Sequence, residues 1–364
     1  MATLYFIRYR KNSGILEGGE QGSQKNYNVL SSILGEANIT TYYVHDESHR
    51  RTWWDLLRGA FFTFFNYYYG LTPMRTRRIC REAMKYDYVF IDRSVFGVIA
   101  KRLKRMNYPG RVISFFHNVE VDYFDAKLSQ RNPFRGIMLR CVDANDRYAC
   151  RYSDRIIALN PRDDGELMKR YGRRADVLIP VAFKDRVPDL RNQDRMTSPR
   201  PLCLFLGAYF PPNNEGIVWF LKKVLPRVDI QMLVVGKGMA RLVEEEPLMR
   251  GIEVVSDAPD VKPYMEMADI MVLPIFKGSG MKVKTCESLM FGKNIIATDE
   301  ALEGYDVDGT KIGGRCNTAD EFISCINDFI AHPRPRFNDY ARSVYLEKYS
   351  EAAVKKLFEK ILYD

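Results

Sequence analysis

Within residues 276–305, which read FKGSGMKVKTCESLMFGKNIIATDEALEGY, three side chains stand where they could handle a phosphate and a sugar: Lys282, Lys284 and Glu287. A flexible lead-in of Gly278, Ser279 and Gly280 opens directly into a helical pattern, which puts both lysines in its first turn. A helix N-terminus presents unpaired N–H groups and partial positive charge. With two ammonium groups added, it suits a phosphate-bearing ligand. Glu287, three residues beyond Lys284, shares that helix face and offers a carboxylate to ligand hydroxyls. Gly292 then closes the helix, and 294–298 reads as a short buried strand.

Four other places carry chemistry-bearing residues. Gly18, Gly19 and Gly22 mark a strand-to-helix transition, where backbone can approach a ligand; the spacing is not GxGxxG, and a tight turn without a ligand is an equal reading. Gly207 and Gly236 each end an apolar strand pattern in the second half, and Gly236 is followed by Lys237 and Gly238, a second possible anion contact. His117 closes the strand 112–116, where a ring can face a cleft. Glu120 and Asp122 follow it and could orient it, bind an acceptor hydroxyl, or cap the next helix. His45 and His49 lack the Glu of an HExxH zinc motif and read as a solvated loop.

The elements that must position these residues alternate. Strands at 4–7, 40–44, 88–92, 112–116, 154–159 and 177–181 are separated by helical patterns, one of them starting at Asn160-Pro161. A polar segment with prolines, 183–200, is the linker candidate. A second series follows, with a strand after Pro201 and others at 230–235, 252–255, 270–273 and 294–297, and the chain closes on a helical stretch at 339–364. Such alternation predicts parallel sheets of α/β type, and 364 residues suffice for two domains.

Composition narrows the partners. Hydrophobic residues at 46% and charged residues at 28% are globular values, and a formal charge of +9 favours acidic ligands. Seven scattered cysteines without CxxC spacing argue against a zinc site or a disulfide framework and fit a reducing cytosol. No signal-peptide h-region and no run of about 20 apolar residues is visible. Residues 50–81 combine Trp53, Trp54, Phe61, Phe62, Phe64, Phe65 and Tyr67–Tyr69 with flanking arginines. Such a segment suits an anionic membrane surface; a helix packed on the core with a wet arginine face accounts for it equally well.

The segments FFHNVEVDY, YSDRIIALNPRD, FLGAYFPPNNEGIVWF and KGSGMKVKTCESLMFGKNIIATDEALEGY resemble a GT-B-fold glycosyltransferase of the family 4 type, the large retaining family used for bacterial surface polysaccharides. The resemblance covers most of the chain. It implies two Rossmann-like domains facing across a cleft: an acceptor domain at 1–190, a donor domain at 200–335, and 339–364 crossing back to the first. It implies a nucleoside-diphosphate sugar as donor, a glycan or lipid-linked glycan as acceptor and retention at the anomeric carbon, with no metal, no cofactor and no nucleic acid; residues 50–81 add the expectation of a place on the inner face of the cytoplasmic membrane.

Taken together, the residue reading and the resemblance give Gly18, Gly19, Gly207, Gly236, Ser279, Gly280, Met281, Lys282, Lys284 and Glu287 as donor contacts. His117, Lys282 and Glu287 are the catalytic set, and Glu120 and Asp122 the acceptor contacts. Of the family's paired glutamates, Glu287 is the second, which holds the donor ribose, while Ser279 occupies the first position, with the amides of Gly280 and Met281 as substitutes. Asp306 and Asp308 resemble a DxD metal motif and read as incidental. Two other classes stay open: a sugar-nucleotide epimerase or hydrolase of the same fold, for which four histidines are a thin supply, and a non-catalytic basic protein binding membrane or nucleic acid, which leaves the phosphate-site helix unexplained.

Overall fold

Short uninterrupted runs of branched and aromatic residues, such as VFI at 89–91 and IMVL at 270–273, can be satisfied only as parallel strands covered on both faces. A computed structural model describes residues 2–10, 18–45, 53–68, 70–187, 196–278 and 280–364. The chain divides into two units, Met1–Pro180 with Val354–Asp364, and Val181–Ala353. The division falls at 180/181 rather than near 190–200, and the portion of 339–364 grouped with the first unit begins at Val354. Ser279, His49, Tyr69, residues 11–17 of the first glycine loop and 188–195 of the linker candidate lie outside the described residues.

In the first unit, β1 (Leu4–Arg10), β2 (Ile39–His45), β3 (Tyr88–Ile91), β4 (Arg111–Phe116), β5 (Arg155–Ala158) and β6 (Val177–Leu178) pair in the order β2-β1-β3-β4-β5-β6, all parallel. In the second, β7 (Leu202–Leu206), β8 (Gln231–Gly236), β9 (Glu253–Ser256), β10 (Ile270–Leu273), β11 (Asn294–Ala297) and β12 (Gly313–Arg315) follow the order β12-β11-β10-β7-β8-β9. Strand order reverses between β1 and β3 in one unit and between β7 and β10 in the other. In doubly wound sheets, ligands bind at the carboxyl ends of the strands beside such a reversal.

Local chemistry sets the helix ends as the sequence predicts. Asn160 caps the Pro161–Tyr171 helix by accepting from the Asp163 amide at 2.9 Å, and Gly172 ends it in the left-handed region at φ 70°. The C-terminal stretch departs from expectation. It is not one helix but Asp339–Val344, a π turn at Tyr345–Tyr349, a break at Ser350, and Glu351–Tyr363. The buried Tyr345 and Tyr349 anchor the turn, with the Tyr345 hydroxyl donating to the Phe183 carbonyl at 2.9 Å.

Candidate active site

In the second unit, β10 runs into Pro274 and a loop that ends at Lys282, the cap of the Val283–Met290 helix. Lys282 therefore precedes the helix and Lys284 lies in its first turn. The Lys282 ammonium donates to the Gly280 carbonyl at 2.9 Å and to Glu300, which sits just after β11. Tyr305 clamps the same residue from behind, its hydroxyl donating to the Lys282 carbonyl at 2.7 Å. Lys284 reaches the reversal point itself: its ammonium donates to Asn213 Oδ1 at 2.6 Å and lies 4.7 Å from the centre of the Phe205 ring on β7.

Glu287 completes the group, its side chain 13% exposed and accepting from Arg186 Nη2 at 2.9 Å. Burial pushes its carboxyl up against the lowering effect of Arg186 and Lys284. Burial and, after it, the neighbouring charge of Lys282 together lower Lys284 from an ordinary 10.5 to about 7, against the raising effect of Glu287. Three cations, Lys282, Lys284 and Arg186, and two carboxylates, Glu287 and Glu300, thus meet around this helix, and the excess of positive charge favours an anionic ligand.

The glycines act largely through close packing. A Cβ on Gly236 would lie 1.9 Å from the Gly207 carbonyl oxygen, and one on Gly207 would lie 2.8 Å from the Phe205 ring and 3.1 Å from Asn213. Gly236 is therefore required by the approach of two backbones, which accounts for it without a ligand, while Gly207 lets Asn213 turn toward Lys284. Gly216, which carried no sequence signal, lets the Pro211–Lys223 helix ride on the end of β10: its Cβ would meet the Pro274 carbonyl oxygen at 1.9 Å. Met281 is buried.

In the first unit, His117 follows β4 and is 6% exposed. Its Nε2 lies 3.4 Å from Oδ1 of the fully buried Asp92, which follows β3. Asp92 also accepts from Ser23 and, at 2.8 Å, from Asn26, both on the Gly18–Leu34 helix. Gly18 and Gly19 open that helix, but the glycine at the histidine is Gly22, where a Cβ would lie 3.2 Å from Nδ1 and Cε1 of His117.

The acceptor candidates behave differently from each other. Asp122 is 43% exposed and pairs with Arg170 at 2.6 Å. Glu120 is fully buried, 3.7 Å from Arg93, with neither oxygen hydrogen-bonded, and burial raises its carboxyl. The expected acceptor contact Glu120 is thus a core residue, because the helix it starts turns its first residue inward toward the similarly buried Asp146.

Residues 200–332 match the family model described as Glycosyl transferases group 1. The second unit carries a glycosyl transferase group 1 domain. A relative in Klebsiella pneumoniae, described as an uncharacterized 44.6 kDa protein in cps region, is 24% identical over 276 residues, spanning 68% of this chain and 67% of its own length. Among solved structures, HepE of Anabaena in complex with UDP and glucose superposes with a TM-score of 0.68 at 13% identity, covering 100% of this chain and 99% of its own. The apo lipopolysaccharide outer core galactosyltransferase WaaB gives 0.66 at 15%, covering 99% of each chain. Sucrose-phosphate synthase of Thermosynechococcus elongatus gives 0.67 at 14%, covering 99% and 98%. The fold is GT-B, with two Rossmann-like sheets.

Within the glycosyl transferase domain, Asp308 caps a short helix through the Thr310 amide and Asp306 pairs with Lys348 at 2.7 Å, so both have structural employment. The roles of Asn213, Phe205, Arg186 and Glu300 gave no sequence signal, since each comes from a different element: the Pro211–Lys223 helix, β7, the segment after Pro180 and the turn after β11. The aromatic segment of the other unit divides. Tyr68 is buried and Tyr67 packs on the core, whereas Leu57, Phe61, Phe64 and Phe65 are 46–58% exposed, beside Arg58 and Arg140. Among the described residues no helix is long and apolar enough to cross a membrane.

Proposed function

We propose that this chain is a retaining, metal-independent hexosyltransferase of the family 4 type. It moves a sugar from a nucleoside-diphosphate donor to a glycan or lipid-linked glycan in bacterial polysaccharide synthesis. The observation that carries the reading is the Lys282–Lys284–Glu287 group at the β7/β10 reversal of a glycosyl transferase group 1 domain. The diphosphate gains charge as the glycosidic bond breaks, and two ammonium groups with the helix-entry amides of Gly280 and Met281 compensate it. Glu287 accepts from ribose hydroxyls, sharing or giving up its bond to Arg186. His117, held by Asp92 through Nε2, presents its Nδ1 edge to the transferred sugar, and the first unit receives the acceptor through Asp122. A relative from a cps region supports the pathway, and UDP-sugar complexes of a similar fold support the donor class.

The exposed Leu57, Phe61, Phe64 and Phe65 with their arginines support a peripheral site on the anionic inner face of the cytoplasmic membrane. Phe61→Ser/Phe65→Ser should abolish cosedimentation with anionic vesicles without lowering the melting point. A folded double variant that sediments as wild type sinks that part.

For the donor, the protein is melted in the presence of UDP-, GDP- and TDP-sugars. One nucleotide class raises the midpoint, and Glu287→Ala loses the shift while remaining folded. If none of the nucleotides protects, the transferase reading fails.

A further inference from the structure

Two of the seven cysteines meet although their spacing, nine residues, announces nothing. Cys316 follows β12 and Cys325 lies within the Ala319–Ala331 helix. Their sulfurs are 3.3 Å apart, with the Cys316 thiol donating to Cys325. Gly314 makes the meeting possible, for a Cβ there would lie 2.6 Å from the Cys325 sulfur and 3.3 Å from that of Cys316. Cys316 is buried and Cys325 half-buried, so the pair has one sulfur open to a reagent and one held behind it. The hydrogen bond from Cys316 lowers the Cys325 thiol, with Arg334 assisting, against burial, Asp328 and Glu321; the same bond raises Cys316.

We propose that Cys316 and Cys325 are a reversible dithiol–disulfide site, closed by exchange with a low-molecular-weight disulfide. The Cys325 thiolate attacks one sulfur of the small disulfide, forming a mixed disulfide and releasing one small thiolate. Cys316 then attacks the Cys325 sulfur and expels the second small thiolate, which takes up the Cys316 proton. Two protein thiols are oxidised by two electrons and one small disulfide is reduced to two thiols. The sulfurs must close from 3.3 Å to about 2.05 Å.

The closure would be felt close to the donor lysines. Arg315 and Asn317, on either side of Cys316, both hold Asp299: the first by an ion pair of 3.3 Å, the second by hydrogen bonds of 3.0 and 2.9 Å. The next residue, Glu300, is the partner of Lys282. The disulfide chemistry itself does not rest on the donor reading.

Trypsin should release both cysteines in one peptide, 316–336, which contains no other cysteine. The folded full-length protein is incubated with oxidised glutathione, blocked with N-ethylmaleimide and digested. The expected product is that peptide lighter by two hydrogens and unlabelled, restored to a doubly labelled form by prior dithiothreitol. Cys316→Ser should instead stall with glutathione on Cys325, since nothing resolves the mixed disulfide. A wild-type peptide carrying maleimide on both sulfurs, or glutathione on Cys325 with maleimide on Cys316, overturns the proposal.

Discussion

The two strand-end regions use buried polarity in opposite ways. In the first unit, Asp92 is fully buried, yet every neighbour supplies a donor: Ser23, Asn26 and the His117 ring. The charge is dispersed over side chains from one helix and the end of one strand, all converging on a single buried carboxylate. In the second unit, Lys282 and Lys284 are brought close enough for the charge of one to depress the other, and Glu287 sits with its carboxyl raised. The first arrangement is a scaffold that holds an imidazole; the second stores unfavourable desolvation that an anionic ligand would relieve. Structural stability should therefore depend more on Asp92, and ligand binding more on Lys284.

Lys284→Met gives the largest expected effect and tests the second half of that contrast. The thioether keeps the stem on Phe205 and loses the charge, so nucleotide-sugar protection should vanish while the unliganded protein gains on the order of 1–2 kcal/mol. In the wild type, the unfolded chain binds a proton that the folded Lys284 does not between pH of about 7 and 10.5, so this group's contribution to stability rises with pH across that window. Donor phosphates favour the ammonium form, so binding takes up a proton and affinity should fall as pH climbs past about 7. Calorimetric titration at several pH values measures both. A Lys284→Met protein that binds donor normally, or an affinity flat across that range, breaks the comparison.

Asp92→Ala comes next. It leaves Ser23, Asn26 and His117 without a shared acceptor in the interior, and should cost about 2–4 kcal/mol in urea unfolding monitored on the first unit. Nucleotide protection of the second unit should survive where the variant is folded. A cost below about 0.5 kcal/mol would show that the network is not the scaffold described.

Much of this was legible in the sequence for a physical reason. β10 and β11 match the expected ranges because strands buried on both faces leave an uninterrupted apolar run between turn residues. β12 was not legible: Gly313-Gly314-Arg315 has no such run, and it is a strand because Gly313, at φ 137°, lets the chain pass against the Ile295 backbone. Lys284 and Glu287 could be picked from helix spacing, but Asn213 is 71 residues from its lysine and Arg186 101 residues from its glutamate. Local patterning carries no information about such pairs. Glu120 misled for a related reason: sequence marks a carboxylate at a helix start but not which way that helix rolls. The aromatic run at 61–68 likewise could not say that Tyr68 turns inward while Phe61 and Phe65 turn out.

Gly22 offers the finest test, because packing and access can be separated there. An added methyl would lie 3.2 Å from the Nδ1 and Cε1 edge of His117, tight but open to relief by a few tenths of an ångström. Alanine also suits a helix better than glycine by up to about 1 kcal/mol, so Gly22→Ala should leave the melting point nearly unchanged. The methyl nevertheless covers the ring edge that Asp92 leaves free, and sugar transfer should fall by roughly tenfold or less, in kcat rather than in donor affinity. Gly97→Ala serves as the contrast: its methyl would lie 2.0 Å from the Asn145 carbonyl oxygen, where two helices touch backbone to backbone, and it should destabilise outright. If Gly22→Ala changes neither turnover nor stability, the free edge of His117 is not used, and the first unit's network is a scaffold with nothing mounted on it.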